Sequence, residues 1–202
     1  MKLEIWLEIY EEILEDFGFS REKDELAAKI MAELGKSKLL DRSVLEVVED
    51  KDVAVVGGAY SGGSIDGELI ITAGKAIYHV DFTPDIHVTD MEEDDEILVG
   101  LEKDGCILVL HAHGDNIERI RSVVPKVGKF VGTTQSVPFD RIYNFGGFTD
   151  GDRAALLAKE FGARKIRLYG FDFNRAEGEV KLKKLKWARK ILEMEGILQQ
   201  EF

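Results

Sequence analysis

Three shortages bound the reading of this chain. Cysteine occurs once, at Cys106, among 202 residues. No internal disulfide can form, and a reducing, cytoplasmic setting is expected. Cys106 lies in an apolar run, which suits a core residue better than a nucleophile. Proline occurs three times, while Glu and Lys are abundant, a weak compositional lean toward heat adaptation. Positive charge is also short: 27 Lys and Arg stand against 39 Asp and Glu, a net charge of -12. A polyanion would be repelled, so a general nucleic-acid binder is excluded. A nucleotide site stays open, because bound Mg²⁺ reverses the local field. No apolar run approaches transmembrane length, so no membrane span is expected. Met1-Lys2-Leu3-Glu4 turns acidic too soon for a signal peptide. The remainder, 45% hydrophobic and 33% charged, is the composition of a globular chain with one good core.

Residues 1–50 read as an N-terminal helical segment and residues 51–202 as an α/β catalytic domain. Leu3, Trp6, Leu7, Tyr10, Ile13, Leu14 and Phe17 recur at helical spacing, and Gly18 ends that helix. Ile5 and Ile9 widen its apolar stripe, which suits packing on the main domain or a homodimer contact. Ser20 caps a second helix whose face is Leu26, Ala27, Ile30, Met31 and Leu34, stopped by Gly35. A short third helix, Ser43 to Glu49, leads into the first strand. No chemistry is expected from this segment.

The rest alternates apolar strands with helical patterns, which predicts a doubly wound, mostly parallel, Rossmann-like α/β sheet. Val53–Val56 ends in Gly57 and Gly58, which either cradle phosphate or form a plain turn; the spacing fits neither the dinucleotide fingerprint nor a Walker loop. Leu69–Gly74 is followed by Lys75, a phosphate partner or an exposed side chain. A strand over Pro84–Asp90 puts Asp90 at its tip, with His87 packed inside. The acidic run Glu92–Glu96 suits a helix start. The last strand, Ile166–Phe173, carries Asp172. The final helix turns Leu182, Leu185, Ala188, Ile191 and Leu192 inward. Its basic cluster includes Lys181 and Lys184, which form a solvated face or reach a polyphosphate.

Everything is organised around Val109-Leu110-His111-Ala112-His113-Gly114-Asp115-Asn116. A buried strand gives way there to two imidazoles, a carboxylate and an amide, with a helix from Ile117 to Val123 following. Polar chemistry at the carboxyl end of a strand is where open α/β sheets bind ligands. Zinc on His111, His113 and Asp115 competes, but no HExxH helix or cysteine pair supports it. Two more polar tips follow, Thr133-Thr134-Gln135 and Asn144-Phe145-Gly146-Gly147-Phe148-Thr149-Asp150-Gly151-Asp152, the latter before a helix over Arg153–Phe161 that Thr149 or Asp150 caps. Separated carboxylates without a Walker motif suggest Mg²⁺ holding a phosphate chain.

These segments resemble the archaeal 6-hydroxymethyl-7,8-dihydropterin pyrophosphokinases. The resemblance rests on Pro84-Asp85-Ile86-His87-Val88-Thr89-Asp90, His111-Ala112-His113-Gly114-Asp115-Asn116, Gly132-Thr133-Thr134-Gln135 and Asn144 through Arg153, in that order. It is more distantly similar to thiamine pyrophosphokinases, though the chain lacks room for their C-terminal β-sandwich. The glycine turns depart from the family pattern: Thr72-Ala73-Gly74-Lys75 lacks an aspartate often found after the second strand. The resemblance implies transfer of diphosphate from ATP to a reduced pterin, with AMP released. It implies Asp90, Asp115 and Asp152 as Mg²⁺ ligands, and catalytic roles for Asp90, Asp115, His111 and His113. It implies a nucleotide held by Gly57, Gly58, Asn116, Thr133, Thr134 and Gln135, with Lys181 and Lys184 on its phosphates. Pterin contacts would come from Asn144, Gly147, Thr149, Asp150 and Asp172. Two other classes remain open: a phosphohydrolase or glycosyltransferase-like enzyme, and a non-catalytic nucleotide-binding module.

Overall fold

The computed structural model describes residues 1–198. Seven strands form one sheet: β1 (Asp52–Val56), β2 (Leu69–Ala73), β3 (Ile86–Thr89), β4 (Ile107–Ala112), β5 (Val131–Thr134), β6 (Ile142–Tyr143) and β7 (Lys165–Tyr169). Their spatial order is β6-β5-β4-β3-β2-β1-β7, and every neighbouring pair is parallel. The expected doubly wound α/β architecture is present, and the sheet is wholly rather than mostly parallel. Its inner strands are buried on both faces, which is why Val53–Val56 and Leu108–Leu110 are unbroken apolar runs.

The chain steps outward from β1 to β6, then crosses back to place β7 beside β1. That return is α5 (Asp150–Glu160), which covers one face over Val53, Val55, Ile71, Val88, Val109 and Val131. The other face is covered by α2 (Arg21–Leu34), α3 (Asp95–Lys103) and α4 (Ile117–Val123), packed on Leu108, Leu110, Ala112 and Phe130. An outer layer of α1 (Leu3–Phe17) and α6 (Glu179–Met194) joins Trp6, Tyr10 and Ile13 to Leu156 and Ile191. Most of the apolar stripe of α1 is thus buried on its own chain, with Ile5 left exposed; α2 shares a core with the sheet, whereas α1 packs on α5 and α6.

Local chemistry sets the boundaries. Gly18 ends α1 in the left-handed region, φ 65°, and its N–H returns to Leu14 O. The Ser20 hydroxyl accepts Lys23 N–H to start α2. The expected helix over Ser43–Glu49 is instead a 3₁₀ turn, Arg42–Val48, begun by Asp41 accepting Ser43 N–H. Val44, Val47 and Val48, β-branched and crowded, favour no longer helix there. The sixth strand is only two residues long, because Gly146 (φ 80°) and Gly147 (φ 96°) turn the chain away toward α5. Strand β4 runs past Leu110, so His111 belongs to the sheet.

Candidate active site

Asp90 follows β3 in a turn held from several sides. Thr89 Oγ1 accepts Met91 N–H at 2.7 Å and donates to Glu93. Met91 adopts φ 67°, a left-handed conformation uncommon for a non-glycine residue. Arg119 of α4 donates to Met91 O at 2.6 Å and to Glu93 O at 2.7 Å. Asn116 donates to Asp90 O at 2.9 Å and to His111 O at 2.8 Å, and accepts His113 N–H at 3.1 Å. Asn116, expected on the nucleotide, therefore ties the tip of β3 to that of β4.

The two histidines have different environments. His111 is buried, with Nδ1 3.0 Å from Thr133 Oγ1. That hydroxyl also donates to Leu110 O, so it accepts the imidazole proton and leaves Nε2 bare. Burial holds the His111 pKa well below its ordinary value, with help from the Arg153 charge. His113 reaches the cleft. Its Nδ1 accepts Asp115 N–H at 3.3 Å, and its Nε2 lies 3.5 Å from Asp90 Oδ2. Burial alone would raise the Asp90 pKa. The hydrogen bond from His113 and nearby positive charges, Arg153 and Lys184 among them, outweigh it and hold it below the usual value.

The third wall is the start of α5. Asp150 Oδ1 accepts from Arg153 Nη1 at 2.8 Å. A Cβ on Gly74 would stand 2.8 Å from Asp150 Oδ2, so the glycine after β2 gives this carboxylate its room. Burial first, then the charge of Asp90, raises the Asp150 pKa well above the carboxylate range.

Two clefts meet here. The smaller, about 130 Å³, is lined by Phe19, Asp24, Asp90, His113, Asp115 and Arg153 among others. The larger, about 720 Å³, runs past Lys75, Asp90, Glu92, Asp150, Lys181 and Lys184. Asp90, Phe148 and Lys184 line both.

The structure brings Asp90, His113, Asp115, Gln135, Thr149, Asp150, Lys181 and Lys184 to these clefts. It does not bring Asp152, expected as a metal ligand. That side chain is fully buried; Oδ2 accepts Phe148 N–H, and Oδ1 accepts Thr149 N–H and Oγ1–H, starting α5 from within. Gly57 and Gly58 line neither cleft. A Cβ on Gly57 would meet Gly170 O at 2.9 Å, so this glycine serves a close packing of two loops. Asp172 accepts Asn174 and Arg175 N–H in a separate depression, and Asn144 is engaged with Ser136 O and Gly146 N–H. Thr133 partners His111, and Thr134 pairs with Ser136. Gly147 allows the chain to touch α5: a Cβ there would lie 2.5 Å from Arg153 Cα. His111 lies beneath the floor.

Residues 1–50, expected to carry no chemistry, supply Gly18, Phe19, Ser20, Lys23 and Asp24 to the smaller cleft. Asp24 accepts from Tyr10 Oη at 2.5 Å, Gln135 Nε2 at 2.7 Å and Gly114 N–H at 2.7 Å. The signal was present: Asp24 stands three, four and seven residues before Ala27, Ala28 and Met31, which places a carboxylate on the buried face of its helix. Arg153 was also missed. It is buried, lines the smaller cleft and leaves its Nε without a partner.

A wholly parallel sheet with carboxylates and cations at its carboxyl edge, around two joined clefts, defines an α/β enzyme for a charged substrate. A family model described as 6-hydroxymethylpterin diphosphokinase MptE-like matches residues 66–178. Three curated archaeal relatives bear the name 6-hydroxymethyl-7,8-dihydropterin pyrophosphokinase. That of Pyrococcus furiosus is 36% identical, aligning over 96% of this chain and 94% of its own. That of Methanothermobacter thermautotrophicus is 37% identical over 86% and 79%, and that of Methanocaldococcus jannaschii 33% over 95% and 95%. The chain belongs to the 6-hydroxymethylpterin diphosphokinase MptE-like family of diphosphotransferases.

Proposed function

We propose that this protein transfers the β,γ-diphosphoryl group of ATP to the hydroxymethyl oxygen of 6-hydroxymethyl-7,8-dihydropterin, releasing AMP. The observation that carries the reading is the junction of two clefts of unequal size at Asp90, where a donor and an acceptor can meet. The names of the curated relatives supply the acceptor. All seven strands belong to one sheet, so among the described residues there is no second β domain of the kind a thiamine acceptor would use.

Mg²⁺ fits the residues through Asp90 and Asp150. Among the described residues no three His, Cys, Asp or Glu side chains gather into a metal centre. Mg²⁺ needs only one or two carboxylates when phosphates and waters complete its shell. Both carboxylates line the larger cleft, where burial first and then the charge of Asp90 raise the Asp150 pKa, so a cation there would relieve both. Bound there, the ion would neutralise phosphate charge and favour in-line displacement at the β-phosphorus.

The protein's own groups do the rest. Lys75, Lys181 and Lys184 line the larger cleft and hold phosphate oxygens. His113, donating from Nε2, fixes the Asp90 carboxylate. Asp115, exposed in the smaller cleft, accepts the hydroxyl proton as the new O–P bond forms and the bond to AMP breaks. The test is an incubation with ATP, Mg²⁺ and 6-hydroxymethyl-7,8-dihydropterin, with thiamine as control and nucleotide products resolved. AMP formed together with a pterin diphosphate is the expected result. ADP or free phosphate in place of AMP overturns it.

A further inference from the structure

Resting on that reading, we propose that the pterin ring of the acceptor occupies the small cleft bordered by α1 and α2, packed into the Phe19–Phe148 corner with its hydrogen-bonding edge toward Asp24 and Gln135. Neither Phe19 nor Asp24 falls within the segment that the family model matches.

Size divides the clefts. The larger is about 720 Å³ and the smaller about 130 Å³. A nucleoside triphosphate has roughly twice the heavy atoms of a hydroxymethyl dihydropterin, so the smaller ligand takes the smaller site. Surface chemistry divides them again. Phe19 and Phe148 stand with ring centroids 6.4 Å apart and planes tilted by 50°, an apolar corner into which the face and edge of a flat ring can pack. Phe17 extends that corner behind them, 5.2 Å from each. Lys184 Nζ lies 5.7 Å from the Phe19 centroid and 5.9 Å from that of Phe148. Because Phe148, Lys184 and Asp90 line both clefts, a substituent leaving the ring passes into the phosphate cleft beside them.

The floor selects the edge of the ring. Asp24 is 3% exposed and lines the cleft. Two protein donors fill its Oδ2 and one fills Oδ1. A carboxylate offers about four acceptor sites, so Oδ1 retains one. An amino group such as a pterin presents satisfies it, whereas a phosphate beside a buried carboxylate is repelled. Arg153, buried and with no partner for its Nε–H, lines the same cleft.

The test uses the full chain, wild type and the Phe19→Ala and Asp24→Asn variants, with folding checked by circular dichroism. Phe19 is half-buried and lies between α1 and α2, outside both helices. Calorimetry measures binding of 6-hydroxymethyl-7,8-dihydropterin alone, and steady-state kinetics gives KM for acceptor and nucleotide separately. Phe19→Ala raises the acceptor Kd and KM by about tenfold or more and leaves the nucleotide KM within about twofold. A rise in the nucleotide KM with acceptor binding intact overturns the proposal while leaving the reaction standing. Phe19-dependent binding of the dihydropterin by a wild-type chain that forms no diphosphate product sustains the subsite and removes the reaction. An unfolded Asp24→Asn variant leaves the decision to Phe19→Ala.

Discussion

His113 Nε2 stands 3.5 Å from Asp90 Oδ2 and links the tips of two adjacent central strands. Since His113 Nδ1 accepts the Asp115 N–H, its proton sits on Nε2 and points at Asp90. The same loop therefore orients one carboxylate through an imidazole and presents a second, Asp115, a turn later.

Asp90 and Asp115 are expected to fail differently. Asp90→Asn lowers kcat by about 10²–10³-fold and raises the Mg²⁺ concentration needed for half-maximal rate, because it weakens a metal-side oxygen. Asp115→Asn lowers kcat by about 10²-fold or more with the Mg²⁺ requirement unchanged, because it removes the proton acceptor. Titrating Mg²⁺ against rate for both variants separates the roles; identical shifts would merge them.

Asp152→Ala is expected to act on stability. It strips three hydrogen bonds from the first turn of α5 and leaves buried donors at Phe148 and Thr149. A loss of about 2–4 kcal/mol follows from the missing cap and unsatisfied groups. Urea unfolding measures it. At a temperature where the variant is folded, kcat per folded molecule stays within about threefold of wild type; a loss of Mg²⁺ response would return Asp152 to the metal.

His87 makes stability fall on mild acidification. It is fully buried, bonded through Nδ1 to Thr72 Oγ1 at 2.8 Å, and burial lowers its pKa to about 4 from 6.5. Below pH 6.5 the unfolded imidazole takes a proton that the folded one refuses until about pH 4, so unfolding gains across that window. The loss is about 2 kcal/mol between pH 8 and pH 5. Glu93, 4.0 Å away, works in the opposite sense: burial raises its pKa, so its contribution is present at low pH and lost as pH rises through its folded value. Comparing urea midpoints at pH 8 and 5 for wild type and His87→Asn isolates the histidine. Equal falls in both would mean that His87 is not the source.

The sheet was legible because buried parallel strands are continuous apolar runs, and Val53–Val56 and Leu108–Leu110 are such runs. Asp90 and Asp150 stood out because each marks a strand tip or helix start. The spacing of Asp24 marks it as buried, but not as part of the site, since its partners Gly114 and Gln135 lie far along the chain and only tertiary packing joins them. Gly57 shows the converse ambiguity. Close approach to another loop and close approach to phosphate demand the same residue, and the sequence does not say which neighbour arrives.

Strand β1 pairs with β2 on one side and with β7 on the other, from Asp52 opposite Lys165 to Val56 opposite Tyr169. During synthesis the first strand of the sheet is thus left with an open edge until β7 has emerged. Val53, Val55 and Val56, with Ala54 among them, form a short, uncharged apolar template of the kind that recruits foreign strands. The nascent chain is vulnerable to self-association until α5 has carried it across the sheet, and a chain cut before Lys165 keeps that edge exposed.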